Sequence, residues 1–379
     1  MKLLNKIYIQ KILKKRKLTE FEDEILEDLE QELKKILDNK IKEKKNKIRI
    51  LKNDAKKEHI PAKSVLSEEQ IQKLPDWVKE ELENSYIIGK SRKVIQTPNG
   101  RKYHLDNKLN DLSGGEWTYF LNSVINTRYP TTGKESYAHH IRKIHPSPKP
   151  PQLMKQIIEF FTKKNEWVLD YFMGVGGTLL GASLCNRRAL GIDLCEKYIN
   201  AYKKASHELN LEIQPTIQGN SLKILKDEKT IFDITNGEKF SLILIDPPYG
   251  DMLSRSKTGQ AVKDKKNTEA TPFTNLKEDL GNMPLTSFKE KFIESLKDAS
   301  RFLKENGHIV IFIKDLQPKG KELNLLHCDL IKAVNDIENI YYLGMKIWAD
   351  NNVNLYPYGY PYSYVSNQVH QYILIFQKK

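Results

Sequence analysis

Residues 240–245 read Phe-Ser-Leu-Ile-Leu-Ile, and the four that follow are Asp246-Pro247-Pro248-Tyr249. Proline has no N–H to give a sheet ladder, so a strand entering this stretch must stop at Asp246. The acid, the two prolines and the tyrosine therefore sit at a strand's carboxyl end. In open α/β sheets that is where ligands bind.

From about residue 145 onward the sequence alternates strand and helix patterns, which predicts a mostly parallel sheet. Strands are expected at Trp167–Tyr171, Ala189–Ile192, Pro215–Gln218, Phe240–Ile245, His308–Lys314, Tyr341–Trp348 and Gln371–Phe376. The fold class is thus α/β with a seven-stranded, Rossmann-like sheet. Lys289–Lys304 reads as an amphipathic helix covering it, and Asp251–Met283 as a long polar loop with no clear periodicity. Loops of that length are functional or disordered.

Upstream the organisation differs. Residues 1–60 form a Lys/Glu-rich, helical, basic arm: Thr19 and Glu22 make a capping box, and Phe21, Ile25, Leu29, Leu33, Ile36, Leu37 and Ile41 recur at helical spacing. That stripe suits packing against other helices, and the lysines of 42–57 suit solvent or phosphates. Residues 61–140 are expected to be a small α+β region. Ser67-Glu68-Glu69-Gln70 opens a short helix, and Lys93–Gln96 and Arg101–His104 flank an Asn99-Gly100 turn as a hairpin. Residues 141–379 form the third part, carrying the sheet.

The 379 residues hold 62 Lys+Arg against 49 Asp+Glu, a formal net charge of +13. This favours a polyanionic partner such as nucleic acid. No apolar run approaches the ~20 residues that cross a bilayer. Three scattered cysteines, Cys185, Cys195 and Cys328, give neither a disulfide framework nor a zinc motif. A cytoplasmic protein is expected. His139, His140 and His145 match no standard metal-ligand spacing, so no metal is expected.

Two stretches carry chemistry. In Asp170-Tyr171-Phe172-Met173-Gly174-Val175-Gly176-Gly177-Thr178 a strand runs through a glycine turn into a helix, letting a ligand approach backbone amides closely. About 20 residues on, Asp193 ends the next strand, where an acid hydrogen-bonds a ribose diol. A P-loop is excluded because no Lys-Ser/Thr pair follows the glycines. A dinucleotide reading is weakened by the incomplete Gly-x-Gly-x-x-Gly. In the second stretch, Asp246 and the Pro247 carbonyl, held rigid by Pro248, offer paired acceptors suited to an NH₂ group, and Tyr249 offers a flat face for a heterocycle. The bland alternative is a Pro-Pro turn whose tyrosine merely packs.

Together these stretches resemble the S-adenosyl-L-methionine (AdoMet)-dependent amino-methyltransferases that modify adenine N6 or cytosine N4 in DNA. Asp246-Pro247-Pro248-Tyr249 is similar to their catalytic motif and Phe172-Met173-Gly174-Val175-Gly176 to their cofactor motif. His145-Pro146-Ser147-Pro148-Lys149-Pro150 resembles the segment that seats the methionine end of AdoMet. Similarity covers roughly residues 100–379. It implies AdoMet as cofactor, held by His145, Pro148, Lys149, Asp170, Phe172, Gly174, Gly176, Thr178, Asp193 and Asn220. Asp193 would bind the ribose hydroxyls, Asn220 would lie near the adenine, and Phe172 would line the pocket. Tyr171, Gly177 and Asn220 depart from the family's commoner Pro, Thr and Asp.

The resemblance further implies double-stranded DNA as partner and a flipped-out target base, since the pocket cannot reach a base inside a duplex. Adenine N6 is preferred because an Asp heads the catalytic motif. Cytosine N4, an RNA base, and a non-enzymatic basic DNA-binding subunit that keeps the fold are the alternatives. Sequence recognition is assigned to residues 1–140, to Asp251–Met283 or to both, and a restriction endonuclease, where there is one, to a separate protein. Oligomeric state, monomer or dimer, is left open. The run Tyr356-Pro357-Tyr358-Gly359-Tyr360-Pro361-Tyr362-Ser363-Tyr364 either stacks bases near the pocket or packs the last strand on the sheet.

Overall fold

The computed structural model describes residues 60–250, 273–315 and 324–379. The chain divides into two compact units, Met1–Ile60 and Pro61–Lys379. The expected helical arm, except Ile60, lies outside the described residues, as does 251–272 of the polar loop.

In the second unit the chain first builds a small antiparallel ribbon of β1 (Tyr86–Ile88), β2 (Val94–Gln96) and β3 (Lys102–His104). The expected Asn-Gly turn joins β2 to β3, with Gly100 at φ +82° where a side chain would be strained. The expected short helix follows Ser67, whose hydroxyl accepts from Gln70 N (3.2 Å) while Gln70 Oε1 accepts from Ser67 N (2.9 Å). Leu74, Val78, Leu82, Ile87 and Ile95 form the core beneath this ribbon.

The large sheet has eight strands: β4 (Val124–Thr127), β5 (Trp167–Asp170), β6 (Arg188–Asp193), β7 (Thr216–Gln218), β8 (Phe240–Ile245), β9 (Leu303–Ile313), β10 (Ile340–Asp350) and β11 (His370–Lys378). Their order is β4-β10-β11-β9-β8-β5-β6-β7. All neighbours run parallel except β11, which is antiparallel to both β9 and β10. The seven expected strands are all present: Phe240–Ile245 has the expected bounds, and the other six differ at one or both ends by a residue or more. The correction is the eighth: β4 comes from the region expected to be a separate α+β unit, and pairs Val124–Thr127 with Ile347–Asp350 of β10. Four residues with only half their side chains apolar give too weak a period to be read as a sheet strand, but an open edge accepts them.

Helices α1 (Pro151–Phe161), α2 (Gly177–Leu184), α3 (Glu196–Glu208), α4 (Glu228–Thr235), α5 (Leu285–Ser300) and α6 (Leu326–Asn335) cover both faces. Every residue of β5 and β8 is buried, and their alternate side chains serve opposite layers. Leu169, Ile243 and Ile245 pack with Phe288, Phe292 and Leu296 of α5. Val168, Leu242 and Leu244 pack with Leu153, Met154, Ile157 and Ile158 of α1. The expected helix 289–304 is α5, which starts earlier because Pro284, lacking an N–H, suits the position before its first turn.

The strand order reverses between β5 and β8. Strands β5, β6 and β7 run outward in one direction, while β8 and β9 lie on the other side of β5. A crevice opens at such a switch point, outside the carboxyl ends of the two strands. Asp170 ends β5 and Asp246 follows β8 there.

Candidate functional site

After Asp170 the chain turns through Tyr171–Gly176 into α2. Gly176 has φ +73°, and a Cβ on it would lie 2.2 Å from the Tyr202 ring of α3; on Gly177 it would lie 2.8 Å from the Lys149 carbonyl. Only glycine lets this loop sit between α3 and the 145–150 segment. Asp193, at the end of β6, fastens the loop: Gly174 N donates to its Oδ2 and Cys195 N to its Oδ1, each at 2.8 Å. The acid expected to read a ribose also holds the glycine turn in place. Each carboxylate oxygen keeps a further lone pair for a ligand.

Burial pushes Asp193 up to about 6. Asp170 is pushed up to about 7, first by burial and then by the neighbouring charges of Asp246 and Asp193, although Phe172 N donates to its Oδ1 at 3.1 Å. A buried carboxylate, Asp170, and a half-buried one, Asp193, both raised from the usual carboxylate range, suit a cationic ligand, whose charge would hold both ionised.

Asp246 is engaged on both oxygens. Lys149 Nζ forms an ion pair with Oδ2, and the Tyr249 hydroxyl donates to Oδ1 at 2.6 Å. Tyr249 is only 6 % exposed, its ring in the core beneath α5, and burial with the Asp246 charge raises its hydroxyl well above the usual range. The expected stacking face is thus a fixed wall. Lys149 is carried by the 145–150 segment, which Arg142 supports from within. Arg142 is 1 % exposed and donates to the carbonyls of Lys149 (2.9 Å) and Tyr137 (3.2 Å); burial pulls it down to about 10. Tyr137 and Ala138 both adopt left-handed backbone (φ +49° and +54°), a local strain of the kind that gathers at functional sites.

His145 is a neutral wall. Burial lowers it to about 4, Ser147 N donates to its Nδ1 (3.2 Å), and its ring stacks on Phe273 at 4.9 Å with Tyr198 edge-on at 4.9 Å. Asn220 caps the short helix after β7, accepting from Leu222 N (2.9 Å) and donating to Glu278 (3.3 Å).

The ends of β5 and β8, the 145–150 segment and the glycine turn together bound one cavity of about 550 Å³. Of the residues expected at the site, His145, Pro148, Lys149, Asp170, Phe172, Gly174, Thr178, Asp193, Asn220, Asp246, Pro247, Pro248 and Tyr249 line it. Gly176 does not; it faces Tyr202 and shapes the turn. Lys314 and Asp315 after β9, Gln368 and Gln371 at β11, and Phe273 and Tyr198 also line the cavity and were not foreseen. Lys314 Nζ donates to the Gln368 carbonyl at 2.6 Å and is lowered by burial. Gln371 Oε1 is buried and accepts no hydrogen bond among the described residues. The signal for Lys314 and Asp315 was available, since they too follow a parallel strand's carboxyl end. Arg142 had none.

The cavity's size falls within the usual range of about 300–1,000 Å³ for ligand sites. Its glycine turn, paired acids and apolar walls fit a nucleoside-bearing sulfonium such as AdoMet. Among the described residues, no three or more His, Cys, Asp or Glu are placed to hold a metal, and no helix is long and apolar enough to cross a membrane.

The profile of the family described as DNA methylase, of the N6/N4 methyltransferase type, matches residues 2–204. Among curated proteins, tRNA (guanine(10)-N2)-dimethyltransferase of Methanocaldococcus jannaschii is 29% identical over 149 residues, 39% of this chain and 41% of that one. Type II methyltransferase M.HinfI of Haemophilus influenzae is 35% identical over 95 residues, 22% of this chain and 26% of that one. The chain thus spans less than half the length of these curated relatives. Among solved structures, TrmN from Thermus thermophilus superposes with a TM-score of 0.40 at 13% identity, covering 65% of this chain and 53% of that one.

Proposed function

The chain belongs to the N6/N4 DNA methylase family, whose methyl donor is AdoMet, and on that premise we propose that it methylates the exocyclic amino group of a flipped-out base in double-stranded DNA, adenine N6 by preference. The observation that carries this reading is the single cavity at the β5–β8 switch point. Its cofactor-type carboxylates and the Asp-Pro-Pro-Tyr acceptor face the same space.

AdoMet, when bound, supplies an electrophilic methyl group on a cationic sulfur. The chain's own residues do the rest. The Gly174–Gly177 turn admits the cofactor against backbone, with Asp193 at its ribose and Phe172 and Asn220 at its adenine. His145, Pro148 and Lys149 hold the methionine end. Asp246 and the Pro247 carbonyl then accept the two hydrogens of the target NH₂, directing its nitrogen lone pair toward the methyl. For this the amine must take over the acceptor that Lys149 Nζ occupies, while Tyr249 keeps the carboxylate from rotating. The fixed carboxylate stabilises positive charge developing on nitrogen, and the cavity walls hold both partners in line.

A second reading, an RNA base, is favoured by relatives named as tRNA (guanine(10)-N2)-methyltransferases. Incubation with labelled AdoMet and either DNA or RNA, followed by digestion to nucleosides and mass spectrometry, separates them. N6-methyladenine in DNA is expected. N4-methylcytosine would change the base, label in RNA alone would move the substrate, and no transfer to either would remove the reading.

A further inference from the structure

The connection between β10 and β11 spans residues 351–369 and carries five tyrosines within nine residues. Both readings of this run were open from sequence, and the structure decides against packing. Tyr360 is 76 % exposed, and Tyr362 and Tyr364 are each 93 % exposed. Rings this exposed contribute almost nothing to the core, and a cluster of them marks an interaction surface.

The loop that presents them is nonetheless firmly built. Asn367 clamps Tyr356 through both backbone groups, accepting from its N (2.9 Å) and donating to its carbonyl (2.8 Å). Gly359, at φ +76°, closes a tight turn in which Tyr362 N and Ser363 N both donate to its carbonyl at 2.8 Å. At the other end, Asn351 N donates to the Thr127 carbonyl (2.8 Å) and Asn352 Nδ2 to the Tyr129 carbonyl (2.9 Å), with exposed Arg128 between them. Past the tyrosines the same loop enters the cavity: Gln368, whose carbonyl holds Lys314, and Gln371 line it beside Asp246. Three solvent-facing rings are therefore continuous in the chain with the wall of the reaction site.

We infer that Tyr360, Tyr362 and Tyr364 form a stacking platform for unpaired DNA bases next to the flipped target. This rests on the nucleic-acid reading of the site and adds to it where the neighbouring bases go. Flipping a nucleotide removes one stacking partner from each neighbour, and every base has a π-face that a tyrosine can cover without regard to sequence. The chain's formal charge of +13 favours a polyanion, and the exposed Arg128 stands between the two anchors of the loop. A duplex hides its base faces, so the platform favours strands that are already open.

The test is fluorescence anisotropy of the full chain with a labelled single-stranded oligodeoxynucleotide, intact or with abasic sites flanking the target. The Tyr360→Ser, Tyr362→Ser, Tyr364→Ser triple variant alters only exposed side chains, and its AdoMet affinity serves as the control for folding. At least about a tenfold weakening is expected on the intact strand, with an unchanged salt slope and little further loss on the abasic strand. Phenylalanine at the same three positions should restore binding. Equal affinity of variant and wild type overturns the platform and leaves the methylase reading untouched. If wild type binds no single strand, the platform alone falls, because the methylase reading stands or falls on label transfer from AdoMet to duplex DNA. Loss of a dimer in light scattering with DNA binding intact would assign the rings to a second copy of the chain instead.

Discussion

The crevice between β5 and β8 and the loop between β10 and β11 border the same cavity and are built on opposite plans. In the crevice, polar side chains are buried or half-buried and held: Asp193 by two amides, Asp246 by Lys149 and Tyr249, with Lys149's own carbonyl held by Arg142. In the loop the backbone is held and the rings of Tyr360, Tyr362 and Tyr364 face solvent. Chemistry on one group of atoms needs fixed charges in a dry site, whereas binding many sequences needs adaptable surface area. The two plans predict different sensitivities to substitution.

The largest effect belongs to the crevice. Asp246→Ala should lower turnover by about 10³-fold or more while AdoMet still binds, as read by single-turnover kinetics beside calorimetry. Normal methylation by this variant would remove the assignment. Next, Gly176→Ala drives a Cβ into the Tyr202 ring and demands a left-handed backbone, so it should cost about 2–4 kcal/mol of stability in chemical denaturation and weaken AdoMet at least about tenfold. A variant as stable as wild type would show that the glycine turn is not what shapes the site.

Acidity sharpens the contrast further. Asp170 ionises at about 7 in the folded chain against an ordinary 3.8, and Asp193 at about 6. If AdoMet needs both ionised, its affinity should rise about twentyfold from pH 6 to pH 8. Stability without ligand runs the other way. It is fully present below about 3.8 and is lost as pH rises through 6 and 7, because the unfolded chain ionises these acids first. Asp170→Asn should flatten both trends, in calorimetric titration and in melting temperature; slopes that persist would place the titration elsewhere. The smallest effect belongs to the loop: Tyr364→Ala alone should weaken single-stranded DNA by about fivefold without moving AdoMet affinity or its pH dependence.

The two regions also differed in how far sequence revealed them. Prolines 247 and 248 and the glycines after Asp170 announce a strand end and a tight turn by backbone rules alone, so the crevice and its strands were legible. Arg142 was not, because a buried arginine bonded to carbonyls looks like any surface arginine until the fold closes over it. Tyr249 lines the cavity but has a less free ring than the sequence suggests, since burial under α5 depends on packing between distant segments. The strand Val124–Thr127 was missed because its pairing depends on the exposed edge that β10 offers.

The β5–β8 pairing has a consequence for assembly. Asp170 and Asp246 are brought together by Val168 facing Leu242 and Leu169 facing Ile243, contacts between segments with three helical crossovers and two strands between them. Such pairing pays a large loop-closure entropy before any contact rewards it, which makes it slow to form. A slip of a single residue would also turn Asp246 to the opposite face of the sheet. No fragment of this chain can hold half a site in working order; competence arrives with the register of the central pair, and a refolding assay that follows methyl transfer would report that one event.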